Sequence, residues 1–227
     1  MKQEQLDEII QKHKLWLNNN AEGERANLKY VNLEDANLED ANLRDANFED
    51  ANLERANLKG ANLEYANLKY VNLKYANLKR ANLKRANLEG ANLEGANLKR
   101  TNLRGANLEG ANLEGTNLED ANLKDANLKG TNIEGANLRY ANLKGTNLEG
   151  ANLRYANLEG ANLDYSAWPL WCGSKNVKVD IRQVRQLLAH VYVLDCADKE
   201  FKDIKSNIFQ YAVKSHVADD LCIKKED

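Results

Sequence analysis

The stretch ANLKRANLKRANLEGANLEG, residues 76–95, holds four copies of one five-residue unit and decides the fold of this chain. The same unit, Ala-Asn-Leu followed by two variable residues, runs without interruption for 28 copies over residues 26–165. Asn occupies the second position of every copy, and Leu occupies the third except at Phe48 and Ile133. The first position departs from Ala only at Val31, Val71, Thr101, Thr116, Thr131 and Thr146.

A period of five residues fits neither a straight α-helix nor a flat strand. A helix turns by about 100° per residue, so leucines five apart would scatter around the cylinder and form no apolar stripe. Side chains of a strand alternate between two faces, so an odd period would send successive leucines to opposite sides. The chain must therefore bend once per unit, and repeated bends build a solenoid with its leucines inside.

The fourth and fifth positions of the unit carry its polar residues and are predicted to face outward. Gly occupies the fifth position in eleven units, which is typical of a corner where the backbone angle φ is positive. The small first residue and the Leu are predicted to fill the interior, and the unvarying Asn is predicted to form ladders of hydrogen bonds between coils.

Units such as Ala61-Asn62-Leu63-Glu64-Tyr65 resemble the A-(D/N)-L-x-x signature of the pentapeptide repeat proteins. The resemblance implies a mainly β fold, a right-handed quadrilateral β-helix (solenoid) with four units in each square coil. The 28 units would then make about seven coils. It also implies a bacterial origin, because such repeats are commonest in bacteria.

Composition limits the classes of partner and location to be expected. The chain has 227 residues, of which 32 are basic and 34 acidic, so its net charge of −2 gives no reason to expect a general attraction to nucleic acid or membranes. It contains no apolar run long enough to span a membrane, and its first residues lack the apolar segment of a signal peptide. Three widely spaced cysteines, Cys172, Cys196 and Cys222, favour a reduced cytoplasmic protein.

The first 25 residues are predicted to close one end of the solenoid. Leu6, Ile9, Ile10 and His13 follow helical spacing, which predicts a short amphipathic helix over residues 3–17, laid on the first coil. Residues 21–25 are interpreted as a degenerate unit that joins this helical cap to the repeat.

Residues 166–227 differ in composition and are predicted to form a C-terminal helical cap or dimerisation segment. Apolar spacing predicts one helix over about 181–194 and a second over about 198–214. Ahead of them, Trp168, Leu170 and Trp171 form either a plug for the last coil or a contact between two copies of the chain. The oligomeric state therefore stays open, with a homodimer as one alternative.

The sequence carries no recognisable catalytic or metal-binding constellation. Cys172, Cys196, His190 and His216 are the only plausible ligands, and their spacings match neither a zinc site nor a Cys–His nucleophile pair. We therefore predict no enzyme activity, no cofactor, no metal and no small-molecule substrate.

The third group of four units, residues 66–85, is the candidate interaction surface. With four units per coil, it forms a basic belt around all four faces, with six basic and no acidic residues in its variable positions. Those positions hold Lys69, Tyr70, Lys74, Tyr75, Lys79, Arg80, Lys84 and Arg85. The belt either contacts an anion or nucleic acid, or its charge is compensated by Glu54, Glu64 and Glu94 on the adjoining coils.

Three functions remain open at this point. The first is a non-enzymatic interaction protein, a rigid charged rod that binds an unknown protein partner. The second comes from the resemblance: some pentapeptide repeat proteins mimic duplex DNA, bind type II topoisomerases such as gyrase and protect them from inhibitors. This chain departs from that pattern, because the basic belt interrupts every face. The third is nucleic-acid binding through residues 66–85.

Overall fold

One helix and a long coil of stacked turns make up this computed structural model, which describes residues 1–167 and residue 179. Helix α1 spans Gln3–Leu17, the segment for which the apolar spacing predicts it. From Asn27 onward the pairing consists of isolated parallel β-bridges, one for each unit, because each unit turns a corner before a longer strand can form. No helix in the described part is long and apolar enough to cross a lipid bilayer.

Each bridge joins a residue to the one 20 positions further along the chain. Asn27 pairs with Asn47, and the series continues in steps of five to the pair Asn142 and Asn162. Two hydrogen bonds support each step: the Leu63 amide donates to the Asn82 carbonyl at 2.7 Å, and the Asn82 amide donates to the Ala61 carbonyl at 2.9 Å. Twenty residues are four units, so four units complete one turn of the coil and give it four faces.

Every corner of the coil is a hydrogen-bonded turn with a positive φ at the fifth position. The Ala66 amide, for example, donates to the Leu63 carbonyl at 3.0 Å, and Tyr65 between them has φ of 60°, as a type II turn requires. Gly60 has φ of 69° in the same place. Tyr, Asp and Arg adopt this conformation as well as Gly does, so the turn does not require glycine, although an L-residue there costs about 1–2 kcal/mol.

The interior is filled by the third residue of each unit. From Leu28 to Leu163 these side chains are at most 4% exposed, and Phe48 is accommodated with no exposure. The four threonines are also buried, and each hydroxyl finds a backbone carbonyl; Thr101 donates to Leu78 at 2.8 Å. Buried hydroxyls that are satisfied in this way cost little, so Thr is tolerated where Ala is usual.

At many of the units the invariant Asn side chain bonds in two directions, as Asn82 shows. The Asn82 amide group donates to Oδ1 of Asn62 one coil earlier at 3.0 Å, and its own Oδ1 accepts the Lys84 amide at 3.2 Å. The first bond ties neighbouring coils together, and the second fixes the start of the turn. The predicted Asn ladder is therefore present, with an additional role in the corner that the sequence did not reveal.

Helix α1 covers the exposed backbone of the first coil. The Gln3 side chain takes the place of a preceding coil by making the two hydrogen bonds that its backbone would make. Nε2 of Gln3 donates to the Asn37 carbonyl, and Oε1 accepts a hydrogen bond from the Asn37 amide, both at 3.1 Å. The N-terminal ammonium of Met1 donates to the Asn32 carbonyl at 2.7 Å, and Leu6 is buried against the core. These contacts occupy groups that would otherwise form an open sheet edge.

His13 joins α1 to the coil through both ring nitrogens. Nδ1 lies 3.0 Å from the Ala26 amide, which can only donate, and Nε2 lies 3.0 Å from the Arg44 carbonyl, which can only accept. The ring must therefore be neutral, with its proton on Nε2. Burial lowers the pKa of His13, and the Arg44 carbonyl and the Asp45 charge oppose that shift in part, whereas the Arg25 charge adds to it.

Tyrosines at the corners lie across glycines of the next coil. A Cβ atom added to Gly90 would stand 2.5 Å from the Tyr70 ring, and one added to Gly95 would stand 2.6 Å from the Tyr75 ring. The same arrangement joins Tyr140 to Gly160. Glycine is therefore needed here for space rather than for backbone conformation.

The expected C-terminal helices over 181–194 and 198–214 lie outside the described residues. The apolar group of Trp168, Leu170 and Trp171 lies outside them as well, as do the three cysteines and two of the three histidines.

Replacing Gly90 with Ala should destabilise the fold more than replacing Gly110 with Ala. Both glycines have similar positive φ, 63° and 66°, but an added Cβ at Gly110 meets nothing within 4 Å. The overpacking against Tyr70 is expected to cost about 1 kcal/mol or more beyond the strain that both variants share. Guanidinium unfolding of the two variants measures the difference, and equal losses of stability would contradict the Tyr–Gly contact.

Lowering the pH should weaken the contact between α1 and the coil. An unfolded His has a pKa of about 6.5, and that of folded His13 is lower, so the unfolded state binds more protons between the two values. The contribution of His13 to stability is therefore complete above pH of about 6.5 and is lost as the pH falls towards the folded pKa.

Hydrogen exchange measured as a function of pH tests this expectation. The protection factor of the Ala26 amide, which loses its acceptor when Nδ1 is protonated, should fall below pH of about 6.5, whereas that of Ala46, bonded to the Leu43 carbonyl, should not. The pH dependence should disappear in His13→Gln. If it persists unchanged in that variant, another group is responsible.

Candidate interaction surfaces

The fourth and fifth residues of each unit form columns along the four faces of the coil. We number the faces in chain order: face 1 begins with the unit at residue 26, face 2 at 31, face 3 at 36 and face 4 at 41, and each repeats every 20 residues. Successive members of a column are therefore one coil apart, about 4.8 Å. Side chains separated by 20 residues are neighbours, and sequence neighbours five apart point in different directions.

On faces 1 and 2 the basic belt is neutralised by the next coil. Lys69 forms an ion pair with Glu89 and Lys74 forms one with Glu94, both at 2.9 Å. The hydrogen bonds to these glutamates raise the pKa of both lysines, and the adjacent tyrosines contribute to the same shift. This half of the belt therefore presents little net charge.

Two exposed aromatic rings stand beside these ion pairs. Tyr70 and Tyr75 are each 52% exposed, and the ammonium groups of Lys69 and Lys74 lie 4.8 Å and 5.1 Å from their ring centroids. Their other sides rest on glycine backbone of the next coil. The rings are thus held in place by contacts with both groups, so less side-chain conformational entropy is lost when a partner binds.

On faces 3 and 4 the belt keeps most of its charge. Lys84 pairs with Glu64 at 2.9 Å, and Arg85 donates to the Tyr65 hydroxyl at 3.0 Å. Lys79 and Arg80 make no ion pair with any residue of the described range. The belt expected from the sequence as a uniform ring is therefore two different surfaces, because compensation occurs along columns.

The next coil extends the charged half. Lys99 and Arg100 follow Lys79 and Arg80 on face 3, and Arg104 follows Lys84 on face 4. We call this surface the basic patch; it consists of Lys79, Arg80, Lys84, Arg85, Lys99, Arg100 and Arg104. Its acidic neighbours stand at its edges, as the ion pairs of Lys99 with Glu119 at 2.8 Å and of Arg100 with Asp120 at 3.3 Å show.

Of the three glutamates expected to compensate the belt, two do so. Glu64 and Glu94 pair with belt lysines, whereas Glu54 pairs with Arg55 of its own unit at 3.2 Å. Glu89, which the sequence argument did not single out, takes part instead. Reading the sequence with a period of 20 rather than coil by coil would have identified it.

Faces 1 and 2 become acidic beyond the belt. The glutamates Glu109, Glu114 and Glu134 accept hydrogen bonds from Asn127, Asn132 and Asn152 respectively. Lys129 interrupts face 1 and pairs with Glu149 at 3.4 Å. The acidic stretch is therefore short and lies on the opposite side of the coil from the basic patch.

A groove with a volume of about 560 Å³ lies between α1 and the first coil. Ile9 and Val31 line it together with charged side chains such as Glu8 and Lys12. Among residues 1–167 and 179, no three His, Cys, Asp or Glu side chains are placed to hold a metal ion. The groove is a seam between helix and coil and brings no catalytic groups together.

The described geometry defines a class of protein, a β-helix built from five-residue units with outward charged columns. The sequence profile described as pentapeptide repeats, in eight copies, matches residues 24–60, 61–100, 101–139 and 132–164. The chain therefore belongs to the pentapeptide repeat family, whose members form right-handed β-helices.

Solved structures of this family are similar to the chain. HetL from the cyanobacterium Nostoc sp. strain PCC 7120, involved in heterocyst differentiation regulation, is 26% identical; the match covers 73% of this chain and 92% of HetL, with a TM-score of 0.43. The pentapeptide repeat protein alr5209 from Nostoc PCC 7120 is 35% identical, covering 46% and 84%, with a TM-score of 0.41.

QnrB1, a plasmid-mediated fluoroquinolone resistance protein, is 16% identical in a further match that covers 77% of this chain and 95% of QnrB1, with a TM-score of 0.44. Comparison with curated proteins gave no match.

Proposed function

We propose that the protein is a non-catalytic interaction rod that recognises a protein partner through one half of the basic belt. This tyrosine half of the belt consists of Lys69, Tyr70, Lys74 and Tyr75. The filled interior carries this proposal: the third-position side chains are at most 4% exposed, and the variable residues other than the buried Asp164 lie on the outside of the coil. A surface of this kind offers lateral contacts rather than a cleft for a small molecule.

Lys69, Tyr70, Lys74 and Tyr75 have the composition of a protein-binding surface. Tyrosine is enriched among residues that contribute most to protein interfaces, and both rings are half exposed and held rigidly. The neighbouring lysines are already paired with Glu89 and Glu94, so a partner does not have to neutralise isolated charges there.

We further propose the division of the chain that the sequence indicates. Residues 1–25 form the N-terminal cap, residues 26–165 a right-handed solenoid of about seven coils, and residues 166–227 a C-terminal cap or homodimer contact around Trp168, Leu170 and Trp171. The contacts of Gln3 and His13 with the first coil support the first of these assignments. The cytoplasmic location rests on the scattered cysteines alone.

The topoisomerase alternative has less support from the surface. A mimic of DNA needs a continuous acidic side, but faces 1 and 2 carry Lys69, Lys74 and Lys129, and several of their glutamates are already paired. A gyrase supercoiling assay with and without a quinolone separates the two functions, since the interaction rod proposed here has no effect in it.

Photo-crosslinking tests the tyrosine surface. A benzophenone amino acid placed at Tyr70 or at Tyr75 should give a discrete adduct with another protein in the native host. The matched control positions are Tyr140 and Tyr155, which are 51% and 52% exposed and have the same positive φ, but lie on other parts of the coil. They should give no such adduct.

Tyr70→Ala combined with Tyr75→Ala should abolish co-purification of the cross-linked protein, whereas Tyr140→Ala combined with Tyr155→Ala should preserve it. Equal adducts at all four positions, or none at any, would contradict the proposal.

A further inference from the structure

The basic patch is chemically different from the tyrosine half of the belt. It gathers seven basic side chains from two adjoining faces and two successive coils, about 4.8 Å apart. Acidic residues bordering it pair with its peripheral members, among them Lys84, Lys99 and Arg100. Two of its members, Lys79 and Arg80, make no ion pair with any residue from 1 to 167.

The column that contains Lys79 explains why this lysine stays unpaired. Lys59 lies one coil before it and turns to Glu39 at 2.6 Å, and Lys99 lies one coil after it and turns to Glu119 at 2.8 Å. Three successive lysines thus meet an acid only at the two ends of the row. Glu39 raises the pKa of Lys59 through its hydrogen bond and its charge, and the Arg80 charge is the smallest of the contributions that oppose this shift.

The composition of the patch decides between an acidic protein and a nucleic acid. The centres of protein–protein interfaces are depleted in Lys, Asp and Glu and enriched in aromatic residues, Met and Arg, and charged residues as a whole are scarce there. Nucleic-acid interfaces are more polar and far more positively charged. Within the patch itself no residue is aromatic, and the Tyr65 hydroxyl next to it accepts a hydrogen bond from Arg85.

We propose that the basic patch binds the phosphate backbone of nucleic acid, without reading its sequence. The binding surface is two faces wide and two coils long, instead of the ring around residues 66–85 that the sequence indicated. Lys79, Arg80 and Arg85 reach phosphates directly, because none of them has to leave a carboxylate partner. The proposal does not depend on the tyrosine surface, which lies on faces 1 and 2.

Fluorescence anisotropy with a short DNA duplex of mixed sequence tests the proposal on the full-length protein. About three to four phosphate contacts predict that the logarithm of the affinity falls with the logarithm of salt concentration with a slope of about −3. Lys79→Gln combined with Arg80→Gln should reduce the steepness of that slope by about 2 and weaken binding at low salt by about tenfold or more.

The matched control is Lys69→Gln combined with Lys74→Gln. This control also removes two positive charges from residues 66–85, but from the half of the belt that Glu89 and Glu94 neutralise. It should therefore leave both the affinity for the duplex and the salt slope near those of the wild type. Circular dichroism and thermal unfolding of both double variants show that the coil is intact.

Equal weakening by both double variants would overturn the proposal, because the effect would then reflect net charge alone. So would an absence of binding at low salt, or binding to polyglutamate of matching charge with none to the duplex, which would indicate an acidic protein as the partner. Survival of the cross-links at Tyr70 and Tyr75 in either case would leave the proposed protein interaction standing.

Discussion

The hydrogen bonds between residues 20 positions apart are the constraint on which the rest of this structure depends. Each unit contributes its Leu amide and its Asn amide to the neighbouring coils, as Leu63 and Asn82 do at 2.7 Å and 2.9 Å. The spacing stacks leucines in the interior and places outward residues in columns. Because every column member is one coil from the next, charge compensation, Tyr–Gly contacts and patches are all properties of columns. The residues at the fourth and fifth positions of the units therefore determine which partners such a protein can bind, and those that are 20 positions apart lie next to each other on the surface.

The near identity of the units creates a problem of register that the outer residues and the cap resolve. A slip by one unit would keep each Leu inside and each Asn in its ladder, unlike an ordinary strand, where a slip of one residue exposes the core. It would, however, separate Tyr70 from Gly90 and Lys69 from Glu89. At the first coil, the Gln3 side chain bonds to the backbone of Asn37. The individual surface contacts are weak, but they occur on many coils and all favour the same alignment.

Much of this architecture could be predicted from the sequence because the repeat leaves few alternatives. The period of five requires a bend per unit, and the apolar spacing of Leu6, Ile9 and Ile10 predicts the helix that covers the first coil. The candidate surface was harder to predict. Lys69 and Lys79 look alike in the sequence, yet Lys69 is paired with Glu89 and Lys79 forms no ion pair within residues 1–167, a difference set by residues 20 positions away. The role of His13 depends on the Ala26 amide and the Arg44 carbonyl, which no local pattern indicates.

Engineered disulfides measure the 20-residue spacing most directly. In a background where Cys172, Cys196 and Cys222 are replaced with Ser, the pair Glu114→Cys and Glu134→Cys joins neighbours in one column, whose separation of about 4.8 Å suits a disulfide. The pair Glu114→Cys and Arg139→Cys spans adjoining faces. Under mild oxidation, peptide mass spectrometry should show that the first pair closes within the monomer and the second does not. Closure of the second pair instead of the first would show that residues 20 positions apart are not the neighbours described here.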